Sequence, residues 1–97
     1  MNKLKPPYYA VIFTSSLSDT ADGYVAMAQE MEMLVKDQPG FLGMDSARDT
    51  LGITVSYWDS LESIEKWRHN RAHLNAKALG KEKWYTSYSL KICKVIA

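Results

Sequence analysis

Apolar residues along this 97-residue chain recur with two different periods. From Tyr8 to Thr14 the run Tyr-Tyr-Ala-Val-Ile-Phe-Thr is β-branched and aromatic with little polar alternation, the pattern of a strand covered on both faces. Ser15 to Thr20 is polar and turn-forming, and Asp19 or Thr20 is placed to accept hydrogen bonds from the first N–H groups of a following helix. Beyond it Tyr24, Met27, Met31, Leu34 and Val35 are spaced by threes and fours, which sets them on one helical stripe with Gln29, Glu30 and Glu32 outside it. This helix is expected to run to about Lys36 and to be stopped by Pro39 and Gly40.

The second half repeats the cycle. Phe41 to Asp49 and Leu51 to Trp58 read as two strands joined tightly through Asp49, Thr50, Leu51 and Gly52, an antiparallel pair. In the second, Ile53, Val55 and Tyr57 alternate with Thr54, Ser56 and Trp58. Asp59 or Ser60 then caps a helix, with Glu62 at capping-box spacing from Asp59, and Ile64, Trp67, Arg71, Leu74 and Ala78 follow one face. His69 and Asn70 are weaker helix formers, so a kink or break is expected there. Gly80 suits the helix end, and Trp84 to Ile96 is a last strand with Trp84, Thr86, Tyr88, Leu90 and Ile92 on one side and Tyr85, Ser87, Ser89, Lys91, Cys93 and Val95 on the other. The order βαββαβ predicts an α+β, ferredoxin-like split unit: an antiparallel sheet with its helices on one face. The other face of so apolar a sheet predicts a homodimer packed sheet against sheet.

Length bounds this to one domain, residues 1–97, with Met1 to Pro7 as a short tail because Pro6 and Pro7 lack donor N–H groups. Twelve basic residues against eleven acidic ones leave no net field to hold nucleic acid or an anionic membrane, so neither is expected as a partner. One cysteine, Cys93, excludes an internal disulfide, and the first seven residues hold no apolar run of a signal peptide, which predicts a cytoplasmic location. Three Trp and six Tyr are many for this length and point to an interface or a pocket as well as a core.

Pro39-Gly40-Phe41 opening strand 2, Tyr57-Trp58-Asp59 closing strand 3, Trp67 with the histidines after it, and the ending Trp84, Tyr85, Tyr88, Ile92, Cys93, Val95 together resemble the antibiotic biosynthesis monooxygenase domain, in the branch related to haem-degrading monooxygenases. The resemblance covers about Tyr8 to Val95 and implies a dimeric α+β barrel with a pocket in each subunit between sheet and helices. It implies either oxidation of a phenol or quinol without a cofactor, or degradation of haem. The haem-degrading branch pairs an Asn in strand 1 with a Trp in helix 2 and a His about three turns later; Trp67 matches, strand 1 offers only Ala10, Val11, Ile12 and Phe13, and the His position falls near Lys77. His73 lies one turn earlier.

Three function classes follow: a cofactor-independent monooxygenase acting on a small aromatic molecule, a protein that binds or degrades haem, and a non-catalytic dimeric binding protein. For the first, the protein need only bind a phenol, assist its deprotonation and exclude water while the anion reacts with oxygen. His73, Tyr88 and Asn75 are the candidate catalytic groups, and Trp67, Trp58, Tyr57, Met31 and Trp84 the candidate walls for a flat ligand. The competing reading of each aromatic is plain core packing. His69 and His73 stand four apart on one helical face, but no H-E-x-x-H pattern or nearby cysteine accompanies them, and no metal is expected. Cys93 is expected buried and inert, Met27, Met31, Met33 and Met44 as core filler or pocket lining, and Asp45, Asp49, Glu62 and Glu65 as surface or cap residues.

Overall fold

The computed structural model describes residues 4–19 and 21–97. Its elements are β1 (Tyr8–Leu17), α1 (Tyr24–Val35), β2 (Phe41–Arg48), β3 (Gly52–Trp58), α2 (Leu61–Arg68), α3 (Arg71–Leu79), a π-helical turn (Gly80–Trp84) and β4 (Tyr85–Val95). The strands make one antiparallel sheet in the order β2-β3-β1-β4, the ferredoxin-like α+β arrangement that the alternating periods predict. Register fixes the two faces. Val11 stands opposite Ser56 and Ile92, Phe13 opposite Thr54 and Leu90, and Ser15 opposite Gly52 and Tyr88, so these residues share the face that carries the helices. Ile53, Val55 and Tyr57 point the other way, as their alternation indicates.

Several boundaries depart from expectation, each for a local reason. Ser15 to Leu17 do not turn; they continue β1, because Ser15 pairs with both Gly52 and Tyr88 and Leu17 with Tyr85. Helix α1 starts only at Tyr24, behind Gly23 in the left-handed region and without a side-chain cap; Asp19 stands outside it, and Thr20 lies outside the described residues. Gly40, at φ 83°, lends its carbonyl to the Asp59 N–H at 2.9 Å, and a Cβ there would strike the Ser63 and Asp59 side chains. Only glycine fits both demands. Ser60, not Asp59, caps α2: its Oγ accepts from the Ser63 N–H at 3.1 Å, while Asp59 accepts from the Ser63 hydroxyl at 2.7 Å.

The break expected at His69 and Asn70 is real and complete. Asn70 Oδ1 accepts from the His73 N–H at 3.2 Å, so Asn70 is the N-cap of a new helix. The new helix turns a different side inward from the one that a continuous helix would bury. Leu74 and Ala78 are exposed, and Ala72, His73, Ala76 and Lys77 face inward.

The buried centre is small. Val35, Trp58 and Ile64 interlock at one end of the sheet, joined by Tyr9, Val11, Phe41, Met44 and Trp67. Trp84 is buried at the other end against Tyr24. Met33, among the expected core methionines, is 72% exposed, since it falls off the α1 stripe. Cys93 is only half-buried, on the face away from the helices.

Because Ile64 joins α2 to Trp58 and Val35, Ile64→Ala is expected to cost about 3 kcal/mol in urea unfolding, the usual scale for a large-to-small core change. Leu61→Ala, on the exposed side of the same helix, should stay within about 0.5 kcal/mol of wild type.

Candidate functional site

Between the two buried ends lies a cavity of about 670 Å³, lined by the sheet and all three helices and open to solvent along β4, where Tyr88, Leu90 and Ile92 are exposed. Its existence follows from the register. The middle of the helix-covered face bears Ser46 and Thr54 beside Phe13, and Ser56 beside Val11, so short side chains leave volume that larger ones would fill. The size suits a small aromatic ligand.

The break between α2 and α3 builds one wall. In an uninterrupted helix the Trp67 carbonyl would accept from the N–H four residues on. Here it accepts from Asn70 N–H at 3.1 Å and from His73 Nδ1 at 3.0 Å, and the imidazole lies flat on the Trp67 ring at 4.2 Å and 12°. A carbonyl only accepts, so Nδ1 carries the proton of the neutral ring and Nε2 is left with the lone pair. Burial, reinforced by the cations Lys77 and Arg68, draws the His73 pKa below its ordinary 6.5, against the pull of the Trp67 carbonyl. At neutral pH the side chain is therefore an uncharged acceptor on the cavity wall.

The other wall is aromatic. Tyr24 meets Trp84 and Tyr85 edge-on at 5.6 and 6.0 Å, and Phe13 stacks on Tyr88 at 6.2 Å. Trp84 donates its Nε1–H to the Asp22 carbonyl at 3.0 Å. Tyr85 reaches this wall through a bulge: the register slips between Ser16 and Leu17, so Tyr85 pairs with Leu17 and Thr86 is the extra residue. Strict alternation would have sent Tyr85 to the opposite face from Tyr88, yet their rings are 6.0 Å apart. Gly80 is the counterpart of that slip, since a Cβ there would overlap the Tyr85 ring. Burial, and then the nearby Tyr24, push the Tyr85 phenol up to about 12, which keeps its hydroxyl a donor across the physiological range. Arg48 fastens this end. It donates to the Ser15 carbonyl at 3.1 Å and to the Ser15 and Tyr24 hydroxyls, and lies 5.1 Å above the Tyr24 ring.

The cavity gathers His73, Tyr88, Trp67, Met31 and Trp84 from the residues singled out in sequence. It does not gather Asn75, Trp58 or Tyr57. Asn75 is exposed on α3, because the helix break turns its side away from the sheet. Trp58 is fully buried beneath Ile64 and Val35, with its Nε1–H on Ser56 Oγ at 2.9 Å. Tyr57 belongs to the other face, where its hydroxyl donates to Asp45 at 2.7 Å and that bond raises its pKa. His69 and His73 are also separated by the break: His69 is exposed beside Glu65 at 3.5 Å while His73 points inward. Among the described residues no three His, Cys, Asp or Glu side chains are grouped to hold a metal ion. Tyr24, Tyr85, Arg48, Lys77 and Lys81 line the cavity without having been singled out for it. For Tyr24 the signal was present in the α1 stripe; for Tyr85 the bulge erased it.

The antiparallel sheet with its helices on one face and a cavity between them defines a small ferredoxin-like α+β protein. The family model for antibiotic biosynthesis monooxygenase matches residues 7–79, and the chain belongs to that family. It is 52% identical over 93 residues to the uncharacterized protein YqjZ of Bacillus subtilis, a match covering 94% of this chain and 82% of the relative. Among solved structures, Rv0793 from Mycobacterium tuberculosis superposes with a TM-score of 0.82 at 15% identity, covering 93% of this chain and 96% of that one. SnoaB, a cofactor-independent oxygenase from Streptomyces nogalater solved as a point mutant, superposes with a TM-score of 0.78 at 8% identity, covering 91% and 92%. These two likenesses define the shared fold. No helix among the described residues is long and apolar enough to cross a membrane.

The His73 geometry has a direct readout. Nitrogen-15 NMR should show His73 at pH 7.5 as the Nδ1–H tautomer, titrating below 6.5. Because the folded value is depressed, the unfolded chain binds this proton more readily. Stability linked to His73 is therefore present above the unfolded value and is lost as pH falls through the folded one. A His73 resonance titrating above 6.5 would contradict the geometry.

Proposed function

We propose that the protein is a monooxygenase that oxidises a small phenol- or quinol-like molecule without a metal or flavin, inside the cavity between sheet and helices. The observation that carries this reading is the 3.0 Å contact of His73 Nδ1 with the Trp67 carbonyl on the wall of an aromatic cavity, which makes the neutral ring the Nδ1–H tautomer and leaves the lone pair on Nε2. A flat phenol slides between the Tyr88 and Phe13 side and the Trp67 side, and His73 Nε2 takes its hydroxyl proton. The phenolate is the electron-rich form that passes electrons to oxygen. Net, a phenol and O₂ give a quinone and water: one oxygen atom enters the ring, the other leaves as water, and the substrate supplies all four electrons. Tyr85, held protonated, is a donor for the developing oxygen anion. SnoaB's description as a cofactor-independent oxygenase supports the same chemistry on this fold.

A second reading rests on the same atom. A His whose Nδ1–H is bound to a carbonyl has Nε2 in the state that haem iron takes as a ligand, so His73 is the residue that would hold a haem here. Haem, when bound, would supply oxygen activation at its iron. For either chemistry the working unit is proposed to be a homodimer, because the sheet face bearing Ile53, Val55 and Tyr57 carries no helix of its own chain and Ile53 is 42% exposed.

Oxygen uptake with a panel of polyphenols and quinols is expected, and His73→Ala should slow it about 100-fold, the lower scale for removing a general base. Uptake with none of them, or an unchanged rate in that variant, would sink the phenol reading. Hemin binding at one per subunit, lost in His73→Ala and bleached by ascorbate in air, would replace it with the haem reading. Light scattering at micromolar concentration should give twice the 11.0 kDa chain mass, and a monomer would contradict the dimer.

A further inference from the structure

The charges around the cavity are not balanced as they are in the chain. Overall, twelve basic residues face eleven acidic ones, but the cavity lining contains Arg48, Arg68, Lys77 and Lys81 against the single carboxylate of Glu32. Two of the four cations are already engaged. Arg48 is spent on Ser15 and Tyr24, and Arg68 is paired with Glu65 at 2.7 Å. Lys77 and Lys81 stand four residues apart, the first on α3 and the second on the π-helical turn, and neither has a carboxylate within 4.0 Å among the described residues. Lys77 is half-buried, and its pKa is lowered by burial first and then by Arg68 and Lys81, with Glu65 pulling more weakly the other way. Lys81 Nζ lies 5.8 Å from the centre of the Tyr88 ring, at the margin of the surface on which a flat ligand would stack.

Resting on the proposed phenol reading and narrowing it, we infer that the substrate is an aromatic acid: a hydroxylated flat ring system carrying a carboxylate, which Lys77 and Lys81 grip while the ring lies along Tyr88 and Phe13. The carboxylate supplies the negative charge that the lining lacks, and two lysines one turn apart reach its two oxygens. The grip also fixes which end of the ligand enters first. The acid group stays by Lys77 and Lys81, at the C-terminal end of α3 and the π-helical turn, leaving the hydroxyl to His73 in the first turn of α3.

The test compares 1-naphthol with 5-hydroxy-1-naphthoate, binding being followed by quenching of tryptophan fluorescence at pH 7.5. The phenol hydroxyl is common to both, so their affinity ratio isolates the carboxylate. Wild type is expected to bind the acid about tenfold or more tightly than the naphthol, the scale of a charge-assisted contact, with the ratio shrinking as salt is raised. In Lys77→Met/Lys81→Met the ratio should fall toward one, and in the charge-keeping Lys77→Arg/Lys81→Arg it should be retained within about threefold. The arginine pair also guards against reading a folding defect as lost recognition. No binding of the acid by wild type, a wild-type ratio near one, or a preference that survives in the methionine pair would each overturn the inference. The measurement involves no turnover, so it fails independently of the oxidation chemistry: a protein that consumes oxygen with neutral phenols and shows no acid preference would lose only this inference.

Discussion

Much of the site depends on a single carbonyl. In a continuous helix the Trp67 C=O would be hidden in the backbone ladder; the interruption at Asn70 frees it to receive an amide and an imidazole together. That contact sets the His73 tautomer and holds the ring flat on Trp67, on a residue that lines the cavity. Asn70 contributes twice, as the donor to Trp67 and as the cap of the helix on which His73, Lys77 and the approach to Lys81 are carried. A hydrogen bond in the open is worth little net. Here it decides which of two nitrogens can act.

How much of this was legible beforehand differs between levels. The element order, the antiparallel sheet and the faces of β3 followed from period-two and period-3.6 patterns, because burial on one side is what produces those patterns. The helix break was legible too, since His69 and Asn70 are weak helix formers. Its consequence for side-chain direction was not: a new helix starts its own phase, so the stripe extrapolated through Arg71, Leu74 and Ala78 fails and Asn75 turns outward. Tyr85 illustrates the same limit in the sheet. One inserted residue, Thr86, reverses the alternation on one side of it, and only the partner strand reveals where the insertion lies. Trp58 was misplaced for another reason. Its position at the end of β3 is the same whether a helix sits on it or a ligand does, and Ile64 with Val35 occupies that space.

The family match and the geometry speak to different questions. Membership and the shared fold account for the sheet and the helices between which the cavity lies. The position of each imidazole, phenol and cation around that cavity comes from this chain's own side chains, which a fold shared at 8% to 15% identity does not fix.

The short side chains beneath the cavity have a separate consequence. Ser46 and Thr54 rise from the middle of β2 and β3, while the interlocked residues that hold the domain together are Trp58 at the end of β3 and Val35 and Ile64 on the helices above it. Shape and sturdiness are thus assigned to different residues. Exchanging a floor hydroxyl for a bulkier group would re-cut the chamber for another guest while leaving the buttresses untouched. In a chain this short, where a hollow is a large fraction of the interior, such a division lets one scaffold be refitted repeatedly without being rebuilt.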